Sequence, residues 1–162
     1  MKKIFFNGSI IHYRLSFLLL TLGLYLLFFS PLLSSFTTHT TSPNDGPLII
    51  WLIHQSAQFW QGTGSLYHWP MFHPYLYTAT YSDPFLTLGL ILLGIQFFTD
   101  NVIAQNNLLI LISSFASFVS MYLLAKSIWK TTLTAWIVAV VFCFSFLYLQ
   151  FAVHLHTFFI AG

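Results

Sequence analysis

The sequence predicts an all-α integral membrane protein with three transmembrane helices and further juxtamembrane helices in a large first extracytoplasmic loop. The composition is 57% hydrophobic and 20% aromatic, with only 5% charged residues, whereas soluble domains carry about 25% charge. Several apolar runs approach the length of a membrane span. The net charge of +2 sits in short flanks of these runs, so it forms no basic patch and the composition excludes nucleic acid as a partner.

The first predicted span covers residues 15–33 and follows the basic residues Lys2, Lys3 and Arg14. A secretory signal has an apolar core of roughly 7 to 15 residues and a small-residue cleavage site, whereas a span needs about 20 residues. The length of this run and the lack of a clear cleavage site favour an uncleaved anchor. A cleaved signal is the alternative.

The positions of the charges favour three crossings over four. If the run 84–98 crossed the membrane, Lys126 and Lys130 would lie outside and Asp100 inside, which reverses the usual excess of basic residues in the cytoplasm. As a helix this run is also only about 22 Å long, against a hydrocarbon core of about 30 Å. The sequence therefore predicts a cytoplasmic N-terminus and spans at 15–33, 103–125 and 133–149, with 84–98 re-entrant or interfacial.

The outer loop, residues 34–102, begins with turn formers and continues into a predicted interfacial helix at 47–61. Proline is tolerated in the first turn of a helix, where Pro47 lies. A polar stripe opposes an apolar one at helical spacing, which is typical of a helix in the interface plane. The polar stripe is His54, Gln55, Gln58 and Gln61, and the apolar one is Ile49, Leu52, Ile53 and Trp60.

The second span carries small residues that suit close packing against a neighbouring helix. They are Ser113, Ser114, Ala116, Ser117 and Ser120. We expect this face to pack rather than to line a pore.

Asp45 is the leading candidate for chemistry. Asn44, Asp45 and Gly46 precede Pro47 and an apolar helix, so local sequence favours a turn and a helix cap. The alternative is a carboxylate at the membrane surface that acts as a general base or metal ligand. Asp83 also precedes a proline and a short helix, and a turn is again the simpler interpretation.

Histidines near the same membrane surface add a possible divalent metal site. Asp45, His73 and His154 are the candidate ligands, because carboxylate oxygen and imidazole nitrogen suit such ions. His68 lies near His73, and interfacial packing is the alternative role for both. His154 and His156 diverge by about 200° on a helix, so at most one of them faces such a site.

The order of these features resembles multi-spanning bacterial glycosyltransferases of the GT-C fold. The matching stretches are NDGPLIIWLI, MFHPYLYTATYSDPFLTLGLILLGI, NNLLILISSFASFVSMYLLAKSIWK and WIVAVVFCFSFLYLQFAVHLH. Taken in order, these stretches resemble the family's succession of features: an aspartate, an FYP-like stretch, a YSD-like stretch, a short helix, two spans and a terminal histidine.

The resemblance implies a sugar transferred, with inversion, from a polyprenyl-phosphate donor to an acceptor of unknown identity, outside the bacterial inner membrane. It implies that Asp45 deprotonates the acceptor or organises a metal, and Asp83 of the YSD-like stretch is the second candidate catalytic carboxylate. One feature departs from this pattern: residues 34–102 contain no lysine or arginine to meet the leaving phosphate.

Such enzymes are several hundred residues long, so we expect this single membrane module, residues 1–162, to be their N-terminal part and inactive alone. A small non-enzymatic membrane protein that acts as a packing partner or assembly subunit is the alternative. A transporter fragment is disfavoured, because the predicted spans lack charged residues.

Overall fold

The computed structural model describes residues 8–40, 46–71, 74–81 and 85–145, and the side chains from residue 15 onward apart from 80 and 81. Every regular element in these ranges is helical, which confirms the all-α expectation. The helices are α1 (Gly8–Phe28), α2 (Ser30–Ser34), α3 (Gly46–Trp60), α4 (Leu86–Gln96), α5 (Val102–Trp129) and α6 (Thr132–Cys143), with a 3-10 turn at Thr78–Tyr81.

One described helix, α5, is long and apolar enough to cross a membrane. Its 28 residues make a rod of about 42 Å, which exceeds a hydrocarbon core of about 30 Å. The described apolar part of α1, Leu15–Phe28, is shorter, as are α4 and α6. Three spans were predicted, and by length and composition the described residues show one.

Helices α1 and α6 nevertheless run beside α5. Ring contacts join Phe17 to Trp136 at 5.4 Å and Tyr25 to Phe144 at 5.1 Å, so α1 and α6 advance in the same direction. The hydroxyl of Tyr25 is hydrogen-bonded to that of Ser114 on α5, 3.2 Å away. Trp136 Nε1 donates to Thr21 Oγ1 at 2.8 Å, which ties α6 to α1.

The first predicted span is two helices, because the chain breaks between α1 and α2 at Phe29. Pro31 has no N–H and so cannot donate to the carbonyl of Leu27. That carbonyl instead accepts a bond from Ser30 Oγ at 2.8 Å. Away from the face that contacts α5 and α6, the leucines of α1 are exposed: Leu15, Leu18, Leu19, Leu20, Leu22, Leu26 and Leu27.

Helices α5 and α6 form the most extensively packed pair and are joined by a tight turn. Lys130 ends α5 in the left-handed conformation and its N–H donates to the carbonyl of Lys126. Small side chains are buried on both helices: Ser113, Ser114 and Ser117 on α5, and Ala135, Ala139 and Cys143 on α6. The predicted small-residue face therefore packs within the chain. Ala116 is exposed, because a residue two positions from Ser114 points about 200° away.

Helices α3 and α4 approach each other closely at Gly89. Ile49, Ile53 and Ala57 of α3 share a buried core with Leu88 and Leu92 of α4. A Cβ placed on Gly89 would lie 2.6 Å from the Ser56 Cβ and 2.8 Å from the Ala57 nitrogen. Only glycine permits this approach of the two backbones.

We predict that Gly89→Ala destabilises the protein by about 1–3 kcal/mol, because the new methyl group forces α3 and α4 apart. The free energy of unfolding in detergent micelles measures this effect. Gly94→Ala on the same helix is the matched control, since a Cβ there meets nothing within 4 Å. The control should be neutral or stabilising by up to about 1 kcal/mol, and equal effects of the two substitutions would contradict the proposed close contact.

Candidate functional site

The sequence places its candidate site in the outer loop, and the structure describes the frame of that loop. The candidate residues Asp45, Asp83, His73 and His154 all lie outside the described ranges. Their chemistry therefore stays a prediction, and the site is built here from the elements that flank them. Among the described residues, no three potential metal ligands lie together.

The N-terminal end of α5, from Asn101 to Asn107, anchors the chain that leads to Asp45. The side-chain nitrogen of Asn107 donates to the carbonyls of Phe36 and His39, at 2.8 and 2.9 Å. Asn101 caps α5 by accepting a bond from the Ala104 N–H, and its own amide donates to the Thr37 carbonyl at 3.2 Å. Residues 36–39 are thereby fixed against α5.

Two further amides complete this polar cluster, which the sequence analysis did not assign. Gln105 is 3% exposed, and its Nε2 donates to the Thr99 carbonyl at 2.7 Å. Its Oε1 has no partner among the described atoms. Asn106, also buried, donates to Asn107 Oδ1 at 3.5 Å. The signal available in the sequence was three consecutive amides, QNN, at the polar end of an apolar run.

The helix that follows Asp45 is held at the same end of α5. Helix α3 begins at Gly46, which is buried. Its Ile49 and Ile53 share the buried core with Leu109 and Ile110 of α5. In the sequence, residues 41–45 therefore connect two segments that both pack against the N-terminal part of α5.

Asp83 is followed in the sequence by α4. That helix begins at Leu86 rather than at residue 84, and Phe85 is its N-cap, in the left-handed conformation with φ 47° and no side-chain cap bond. The neighbouring Trp60 donates from Nε1 to the Leu86 carbonyl at 2.8 Å. Ile49, Leu52 and Ile53 are buried on the predicted apolar face of α3, whereas Trp60, at the end of the same face, is 45% exposed.

A compact turn between α3 and α4 is held by Trp69 and Thr78. Thr78 Oγ1 donates to the Trp69 carbonyl at 2.7 Å and accepts from the Trp69 N–H at 3.2 Å. The Ala79 N–H donates to the Tyr67 carbonyl, and Trp69 Nε1 donates to the Ser65 carbonyl at 2.8 Å. Trp69 and Thr78 are buried, so they form the base of this segment.

The same turn presents aromatic rings outward. The exposed side chains are Tyr67, His68, Tyr75, Leu76 and Tyr77. Tyr77 has a φ of 59°, which costs a non-glycine residue about 1–3 kcal/mol and is typical of functional segments. His68 Nδ1 accepts a bond from the Tyr77 N–H at 3.4 Å, and the two rings lie 4.7 Å apart. These contacts favour the packing role for His68.

The environment of His54, a titratable residue of this loop, shifts its pKa. It is half-buried in α3, and desolvation lowers its pKa below that of an ordinary histidine. The imidazole is therefore held neutral at pH 7, as a polar group of the loop and not as a cation for a phosphate.

We predict that Asn107→Ala destabilises the protein by about 2 kcal/mol, because it leaves two partly buried carbonyls without this donor. Thermal unfolding in detergent, together with the protease sensitivity of residues 35–40, measures the loss. Gln96→Ala is the control: it removes the partly exposed Gln61 to Gln96 bond of 3.3 Å and should cost less than about 0.5 kcal/mol. Comparable losses in both variants would exclude the anchoring role.

We predict that stability falls as the pH is lowered below about 6.5, where His54 in the unfolded chain takes up a proton that the folded chain resists. Because the folded pKa is depressed, the unfolded state binds more protons in this window and stability rises with pH. Unfolding midpoints at pH 7.5 and 5.5 should differ less in His54→Gln than in the unmodified protein. An unchanged difference in His54→Gln would refute the assignment.

No protein-family model, no curated protein and no solved structure matches this chain.

Proposed function

We propose that the chain is part of an integral-membrane glycosyltransferase that moves a sugar from a polyprenyl phosphate to an acceptor on the extracytoplasmic side of the bacterial inner membrane. One observation carries the proposal. Each of the two candidate carboxylates comes, within three residues in the sequence, before one of two helices, α3 and α4, that pack closely together at the N-terminal end of α5. Asp45 directly precedes α3, and Asp83 lies two residues before the N-cap of α4.

The proposed topology has three crossings: α1 with α2, then α5, then α6. Support comes from the side-by-side arrangement of α1, α5 and α6, in which hydrogen bonds join α1 to both of the other helices. Lys126 and Lys130 end α5 on one side, whereas Asp100 precedes it on the other. This agrees with a cytoplasmic basic turn and an outer acidic loop.

In the proposed reaction Asp45 removes the proton from the acceptor hydroxyl as that oxygen attacks the anomeric carbon. The bond from that carbon to the phosphate oxygen breaks, and the configuration inverts. A centre with oxocarbenium character is attacked more readily by an acceptor whose proton is being removed. The exposed aromatic rings around Tyr77 form a neutral surface at which a sugar and a lipid headgroup can meet.

The leaving phosphate needs a cation from outside this loop, because residues 34–102 contain no lysine or arginine. Two sources fit: a basic side chain of another segment, or a divalent metal ion held by Asp45, His73 and His154. Chelation with EDTA separates the two, since only the second source makes transfer sensitive to it.

The alternative, a non-enzymatic packing partner, depended in part on the serine-rich face of α5. Ser113, Ser114 and Ser117 are buried within this chain, so that face is already occupied. We therefore propose no second function.

We predict that Asp45→Asn lowers the turnover of the protein, purified in the form that the cell makes, at least about 100-fold, because the proposed general base is lost. A panel of polyprenyl-phosphate glucose, mannose and galactose supplies the donor. Release of polyprenyl phosphate is the readout.

Asp100→Asn is the matched control, since Asp100 is an exposed aspartate of the same loop, and its turnover should be unchanged. Full turnover of Asp45→Asn would overturn the role of Asp45. Absence of transfer by the unmodified protein with every donor and with native membrane extract as acceptor would overturn the glycosyltransferase itself.

A further inference from the structure

A cavity of about 640 Å³ lies between α1, α5 and α6. Its wall is almost wholly apolar and includes Leu22, Leu26, Phe115, Val119 and Trp136. It extends along α1 and α2 from Phe17 to Leu33, a rise of at most about 24 Å. This is the size and shape of a site for an elongated hydrocarbon chain rather than for a compact polar ligand.

Polar groups on this wall are engaged inside the protein. Thr21 Oγ1 donates to the Phe17 carbonyl and accepts from Trp136 Nε1, each at 2.8 Å. The hydroxyl of Tyr25 is hydrogen-bonded to that of Ser114. Beside these two residues an occupant gains nothing from polar atoms of its own, which again favours hydrocarbon.

The end of the cavity near the α5–α6 turn carries a cation. Thr132, which lines the cavity, accepts a hydrogen bond from Lys126 Nζ. Lys126 follows the cavity residue Tyr122 by one helical turn, so both lie on the same face of α5. An ammonium group has three N–H donors, and Thr132 occupies one of them.

Within the described residues this cation has no acidic counterpart. The described acidic residue is Asp100, which precedes the opposite end of α5. Lys130, exposed in the turn, adds a second positive charge near the same end. Positive charge beside the end of an apolar channel is complementary to a lipid that has an anionic headgroup.

We infer that the cavity binds an anionic phospholipid of the leaflet that faces the α5–α6 turn, with one acyl chain between α1 and α5 and the phosphate at Lys126. Anionic lipids are enriched in the cytoplasmic leaflet, where they attract basic residues beside membrane spans. The site lies at the opposite end of α5 from the candidate catalytic loop. It does not depend on the proposed glycosyltransferase function.

The test compares phosphatidylglycerol with phosphatidylcholine of identical acyl chains, titrated onto the detergent-purified protein and followed by native mass spectrometry. Phosphatidylglycerol should bind more tightly, by about fivefold for each lysine that contacts it. Lys126→Gln should reduce its affinity about fivefold and leave phosphatidylcholine unchanged, whereas Lys126→Arg should retain the preference.

A second pair of variants tests the cavity. Leu22→Trp fills the cavity and should weaken the binding of both lipids at least tenfold. Val119→Trp fills it from the opposite wall and should have the same effect. Leu27→Trp is the matched control, because Leu27 is 69% exposed on α1 and does not line the cavity.

Equal binding of the two lipids by the unmodified protein would overturn the inference. The inference would also be overturned if both cavity-filling variants bound phosphatidylglycerol at full affinity and still preferred it to phosphatidylcholine. That result would indicate a surface interaction with the headgroup alone.

Discussion

Two backbone carbonyls beyond α2, those of Phe36 and His39, share the single side-chain nitrogen of Asn107. At the end of a membrane-crossing helix, a carbonyl turned away from water must be paired within the protein. Asn107 meets this requirement twice with one nitrogen, and the path of the outer loop depends on it. Because residues 36–39 are fixed there, α3 begins beside α5, α4 packs on α3 at Gly89, and the aromatic turn extends beyond them.

Helices α1, α5 and α6 are held together in two different ways. Helices α5 and α6 pack through small side chains, and their backbones lie close together. Helix α1 instead contacts them largely through long side chains, notably Tyr25 and Trp136, which leave the cavity between. The same bundle therefore contains one tightly packed interface and one open interface, and the open interface is where a lipid chain fits.

Sequence patterns predicted the elements whose signal is local. Apolar periodicity indicated helices close to α3, α4 and α5, and the small residues of α5 indicated close packing. The break at Phe29 could have been read from Pro31, because a proline removes a donor inside a helix. The roles of Gln105, Asn106 and Asn107 could not be read, since they depend on which carbonyls the fold brings to them. The candidate catalytic residues rest on sequence and resemblance alone, because they lie outside the described ranges.

The turn between α5 and α6 consists of Lys130 and Thr131. Contacts between two helices joined by so short a turn are local in the sequence, and local contacts form early and quickly in folding. We therefore expect α5 and α6 to form a preassembled helical hairpin, onto which α1 and α3 dock in a later step.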